Sequence, residues 1–140
     1  PGGHGRYRIL ETEGGHCDFA PRNLIETQLL GFLLRNFGRV SIERVLSGAG
    51  IFQLYQFVCE SQNLKEPDWL SQKLYDSAPE KIIVEHGLNG KSNACKMAIE
   101  MFVVGVCMKV LPIFPKCRFV DADNKLDTFL QVLLDGTVRD

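Results

Sequence analysis

Two short stretches hold residue types suited to gripping a small polar ligand. In Glu13-Gly14-Gly15-His16-Cys17-Asp18-Phe19-Ala20-Pro21-Arg22-Asn23 a carboxylate and an imidazole stand on either side of two glycines. Without Cβ atoms at those glycines, backbone and side chains can close tightly. In Ser41-Ile42-Glu43-Arg44-Val45-Leu46-Ser47-Gly48-Ala49-Gly50 a second carboxylate, Glu43, sits just inside a helix start capped by Ser41, and the stretch ends in a Ser-Gly-x-Gly turn. Carboxylates accept hydrogen bonds from hydroxyls, and an imidazole can donate or accept. Glu13, His16 and Glu43 are therefore candidate binding residues for a ligand with several hydroxyl groups.

Each of these residues also has a plainer reading. Glu13 alone could be a surface-turn acid, since turns collect polar residues. His16 alone could be a turn histidine holding one backbone group. Glu43 could be only an acid at a helix N-terminus, where the macrodipole stabilises it by about 0.3–1 kcal/mol; that role is compatible with ligand binding. His16-Cys17-Asp18 does not read as a metal site, because adjacent side chains diverge and no further ligand cluster follows. Cys17 and His16 are not expected to act as a nucleophile pair, because sequence neighbours rarely present both groups to one substrate and no orienting acid is assured. Ser47-Gly48-Ala49-Gly50 lacks the Gly-Lys-Ser/Thr ending of a phosphate-binding P-loop, and a helix-helix turn explains it equally well. Asp18, Arg22 and Asn23 read as structural, fixing the loop or capping the helix that follows.

The elements that must position these groups follow from periodicity. Tyr7-Arg8-Ile9-Leu10 reads as a strand feeding the first stretch. Ile25, Leu29, Phe32, Leu33 and Phe37 mark a helix over 24–37 with Gly38 as its stop. A short helix over 42–46 follows, then another marked by Ile51, Leu54, Tyr55 and Val58 that runs to about Gln62. Residues 61–74, polar and with Pro67 and Trp69, read as a surface connection with one partly ordered turn. Pro79 and Glu80 open a helix through Ile82, Ile83 and Val84, closed by Gly87 or Asn89-Gly90. Ala94 to Leu111 is a buried helix ended by Pro112, with its methionines and aromatics in the core. Beyond it, 117–120 reads as a strand, and Leu126, Phe129, Leu130, Leu133 and Leu134 as a last helical stripe.

Composition narrows the function classes. The chain has 140 residues, 45% hydrophobic and 24% charged, which suits one globular domain with a core. A net charge of -1 gives no footprint for nucleic acid or an anionic membrane, so neither is expected as a partner. The uncharged run between Glu100 and Lys109 is far shorter than the roughly 20 apolar residues of a membrane span. Five widely spaced cysteines (Cys17, Cys59, Cys95, Cys107 and Cys117) without a Cys-x-x-Cys motif suggest a reducing, cytoplasmic setting with thiols mostly buried as small hydrophobes. The breaker-rich start, Pro1-Gly2-Gly3-His4-Gly5, carries no initiator Met and no signal-peptide pattern, as expected for a piece of something longer.

The run from Glu13 to Asn23, the return at Val40 to Gly50 and the intervening helix of matching length resemble the sugar-binding half of the bacterial-type glucokinase family. The resemblance is specific from about Ile9 to Tyr55, weaker to about Val104 and poor beyond. It implies an ATP-dependent hexose kinase of the actin-like, ribonuclease-H-like ATPase fold. This chain would then be an α-rich, α/β fragment of the larger lobe. Residues 1–140 would form a single partial domain, with the sugar-binding motifs in 6–62 and a divergent segment in 113–140. It also implies that Glu13, His16 and Glu43 hydrogen-bond glucose hydroxyls, that ATP and Mg²⁺ are the co-substrate and its metal, and that the full-length enzyme is a homodimer. Cys17 stands where the family would have a small apolar residue.

The implied chemistry is phosphoryl transfer from MgATP to the 6-hydroxyl of glucose, which needs a base, a positioned sugar and charge neutralisation around the γ-phosphate. The family's catalytic aspartate, in an Asn-Asp-Phe segment, and a Gly-rich phosphate loop both lie upstream of the first motif; neither occurs in this sequence. The downstream Gly-Asn-Leu-Ala and Gly-Gly-x-x-Ile-Ala-Gly-Gly stretches do not occur either. Two functions follow: a piece of a glucokinase that contributes glucose contacts, or a catalytically inactive relative acting as a sugar-binding or protein-interaction module.

Overall fold

One helix carries the core. In the computed structural model, which describes residues 13–76 and 78–109, α3 (Gly48–Ser61) buries Ile51, Leu54, Tyr55, Phe57 and Val58, so that apolar side chains leave it in several directions. Burial that broad requires cover from several neighbours. These are α1 (Leu24–Leu34), α2 (Ile42–Val45), α5 (Pro79–Leu88) and α6 (Asn93–Lys109); α4 (Asp68–Asp76) closes over α5. The most extensive packing is of α3 and α5 on α6. Leu29 and Leu33 of α1, Val45 of α2, Ile83 and Val84 of α5, and Cys95, Ala98, Ile99 and Phe102 of α6 complete one cluster.

Local chemistry sets the helix starts. Asn23 Oδ1 accepts from the amide of Glu26 at 2.9 Å, Ser41 Oγ from Arg44 at 3.4 Å and Ser47 Oγ from Gly50 at 3.2 Å, each satisfying an amide that has no partner within its helix. Pro79 occupies the first turn of α5, and Gly90, with φ of 65°, follows the Asn89 cap. Gly87 is therefore not the stop. It lies inside α5 where α6 crosses, and a Cβ there would strike the Ile99 side chain.

Four expectations are corrected. α1 ends at Leu34, because Arg35 and Asn36 donate back to Phe32 and Leu33 in tight turns, and the Phe37 amide closes the end by donating to the same Leu33 carbonyl. The Ser47–Gly50 run is not a connecting turn but the cap and first turn of α3, and Gly50 is needed there because a Cβ would run into the Val45 carbonyl. The 61–74 surface connection contains most of α4, nucleated where Leu70 and Ser71 donate to the Pro67 carbonyl and anchored by buried Leu70 and Leu74. The helix expected to be buried, α6, leaves Lys96, Glu100 and Val104 exposed along one side.

No strand occurs among the described residues; the one β-type contact is an isolated antiparallel bridge between Asp18 and Ser41. The expected strands at 7–10 and 117–120, and the 126–134 stripe, lie outside the described residues. No helix among those described is long and apolar enough to cross a membrane. Free thiols occupy three environments: Cys95 is buried, Cys59 half-buried and Cys17 exposed, so Cys17 departs from the expected burial.

Candidate functional site

The first motif folds as a single 3₁₀ turn, Gly14–His16, closed by the His16 amide on the Glu13 carbonyl at 2.9 Å and the Cys17 amide on the Gly14 carbonyl at 3.3 Å. The chain then runs extended beside the residues that precede α2. The Ile42 amide donates to the Cys17 carbonyl and the Phe19 amide to the Val40 carbonyl, both at 2.9 Å. Arg39 adds a side-chain tie, donating from Nε to Asp18 Oδ1 and from Nη2 to the His16 carbonyl, each at 2.6 Å. Two stretches separated in sequence by all of α1 are thus fastened together by main-chain bonds and one guanidinium.

This fastening brings the three candidate residues into one constellation. His16 Nδ1 lies 2.9 Å from Glu13 Oε2, and Nε2 lies 2.9 Å from Glu43 Oε2. Ionised carboxylates accept hydrogen bonds and do not donate them. Among the described residues, the second oxygen of each carboxylate makes no hydrogen bond or ion pair. The side chains of Glu13, His16 and Glu43 are 87%, 60% and 57% exposed, so water competes for these contacts and they do little to hold the fold. Their placement is available for a ligand instead.

His16 and Glu43 open onto a cleft of about 570 Å³ whose lining also includes Phe37, Arg39, Ser41, Arg44 and Gln53. The cleft contains hydroxyl, amide, guanidinium, imidazole and carboxylate groups together, the mixture that suits a polyol whose hydroxyls both donate and accept. The imidazole nitrogens are directed to separate carboxylates rather than to a shared point, and no group of three His, Cys, Asp or Glu able to hold a metal ion occurs among the described residues. Gly48 and Gly50 are occupied in opening α3 and form no phosphate cradle.

The sequence-based reading of Asp18, Arg22 and Asn23 as structural agrees with their contacts: Asp18 holds Arg39, Arg22 pairs with Glu26, and Asn23 caps α1. It missed Arg39, Arg44, Phe37 and Gln53. Phe37 had been assigned to the α1 stripe, and a lone arginine beside a helix cap has no distinguishing spacing. The two glycines are less confining than their composition suggests. A Cβ on Gly15 would meet Glu43 Cβ at 3.5 Å, an ordinary contact.

Comparison with known proteins bears on the same residues. The family model described as Glucokinase matches residues 2–109. A glucokinase of Synechocystis sp. is 47% identical over 79 residues, which are 55% of this chain and 22% of that protein. A glucokinase of Zymomonas mobilis subsp. mobilis is 35% identical over 102 residues, 73% of this chain and 29% of that protein. One of Caulobacter sp. is 39% identical over 99 residues, 71% and 27% of the respective chains. The chain thus spans less than a third of the length of these curated relatives.

Proposed function

The chain belongs to the glucokinase family, and from that premise we propose that it supplies the glucose-holding residues of an ATP-dependent kinase that phosphorylates the sugar's 6-hydroxyl. The observation that supports this reading is that His16, bridging Glu13 and Glu43, stands with Glu43 in the lining of a polar cleft. Residues 6–62 would be the sugar-binding part of a single partial domain, itself a piece of the large lobe of an actin-like fold. Glycolysis, a cytoplasmic setting and a homodimeric full-length enzyme belong to the same proposal.

The chain's own residues do the following. Glu13 and Glu43 accept from two sugar hydroxyls through the carboxylate oxygens that His16 leaves open, and a hydrogen bond to a charged acceptor contributes about 1.5–3 kcal/mol. His16 stands between the two carboxylates and sets their separation. Arg39 and the main-chain ties hold the 3₁₀ turn against α2, so little ordering remains to be done when the ligand arrives. In the whole protein ATP would supply the transferred phosphoryl group and Mg²⁺ the charge neutralisation around it. Because the site is open to water on this chain, glucose binding by the chain alone is expected to be weaker than by the whole enzyme.

Isothermal calorimetry of the 140-residue chain with glucose, with and without MgATP, tests the reading. Saturable binding indifferent to ATP and lost in Glu43→Gln supports it. A folded chain that takes no glucose overturns it.

A further inference from the structure

We propose that Arg44, lying against the ring of Phe37 in the cleft beside Glu43, is a further sugar contact, donating to the oxygen of the hydroxyl whose proton goes to Glu43. The inference rests on the sugar-binding reading and adds the donor half of the site. A sugar hydroxyl that gives its proton to a carboxylate still presents lone pairs, and leaving these unmet on transfer out of water costs affinity. The three residues already proposed for the site cannot meet them as they stand. Both carboxylates are acceptors, and both His16 nitrogens are already directed at carboxylates. Arg39 is turned toward Asp18 and the His16 carbonyl.

Arg44 is differently disposed. Its guanidinium carbon lies 4.5 Å from the Phe37 ring centroid, and its guanidinium has no hydrogen-bond or ion-pair partner among the described residues. The five N–H donors are thus unspent while the group is steadied by the ring, an arrangement that loses little freedom on binding. Position 44 also follows Glu43 directly in α2, so donor and acceptor move with one short helix. Gln53 lines the same cleft, and its buried Oε1 has no partner. Its amide has no bond on that oxygen to lose in turning toward a ligand.

The test compares wild type, Arg44→Leu, Arg44→Lys and Glu43→Gln by calorimetry, using glucose and the series of monodeoxyglucoses that each lack one hydroxyl. Arg44→Leu is expected to weaken glucose about tenfold or more, and Arg44→Lys to recover part of the loss. The penalty should vanish for the one deoxyglucose that lacks the hydroxyl shared by Arg44 and Glu43, for which Glu43→Gln should lose its effect as well, and should persist for the others. Wild-type glucose affinity in folded Arg44→Leu, with Glu43→Gln impaired, overturns the inference and leaves the sugar-binding reading standing. An equal penalty across all the deoxyglucoses also overturns it, since a merely structural role would affect every ligand alike. If wild type binds no glucose, both fall. If Arg44→Leu does not fold, the deoxyglucose series on Arg44→Lys decides by the same pattern.

Discussion

His16 Nε2 lies 2.9 Å from Glu43 Oε2, although the whole of α1 separates the two residues in the chain. The contact is half of a bridge whose other half is Glu13, and it links the 3₁₀ turn to α2 at the cleft mouth. Because all three side chains are well exposed, the bridge matters for ligand placement more than for stability.

Glu13→Gln and Glu43→Gln should each weaken glucose binding roughly tenfold or more, the equivalent of one charged hydrogen bond, with an unchanged melting temperature. Calorimetry beside thermal denaturation checks both halves. A large fall in melting temperature would place these residues in the framework instead.

Arg39→Ala should lower glucose affinity without removing a ligand contact, because it frees the His16 carbonyl and Asp18 from their shared guanidinium. Amide hydrogen exchange should speed up at Glu13–Phe19 and stay unchanged in α5. Uniform acceleration across the chain would contradict the local role.

Gly50→Ala and Gly15→Ala should differ sharply. A methyl at position 50 meets the Val45 carbonyl, whereas one at position 15 finds ordinary contact distance from Glu43. Urea denaturation should show a loss of about 1–3 kcal/mol for the first and little change for the second. Equal losses would mean that the 3₁₀ turn needs its glycines for backbone freedom rather than space.

Acid should loosen the α4–α5 contact. His86 is 1% exposed, neither ring nitrogen has a hydrogen-bond partner, and Trp69 of α4 stands edge-on to it at 5.1 Å. Burial, then the Lys73 charge, push the imidazole below its ordinary value of 6.5; Glu85 opposes this and Lys91 adds to it. The unfolded chain therefore takes the proton first, and stability present above about pH 6.5 is lost as pH falls toward the folded value. Urea midpoints from pH 7.5 to 5 should fall in wild type and stay flatter in His86→Leu. Trp69, the single tryptophan, reports the same change by fluorescence. Identical pH profiles in the two proteins would count against His86.

The helix caps were legible because their causes are local. Asn23, Ser41 and Pro79 act within one turn of where they stand, and each opens the helix expected of it. The helix α4 was not legible, since its two buried residues, Leu70 and Leu74, sit among polar neighbours and gain their burial from the rest of the fold. The same division runs through the site. Glu13, His16 and Glu43 were readable as a set from their resemblance to a family pattern. Arg39, Arg44 and Phe37 join them only through tertiary placement, which no spacing along the chain encodes.

The clasp between Cys17–Phe19 and Val40–Ile42 has a consequence for how this site can drift over generations. Its two rungs are made of amides and carbonyls, which every residue but proline provides in full. The rungs themselves do not depend on the side chains at 17, 18, 40 and 41, but Asp18 also holds Arg39, Val40 lies in the core and Ser41 caps α2, so it is at the exposed Cys17 that the span between His16 and Glu43 is insulated from replacement. The vulnerable positions are 19 and 42, where proline would delete the donor and let the two halves of the site part.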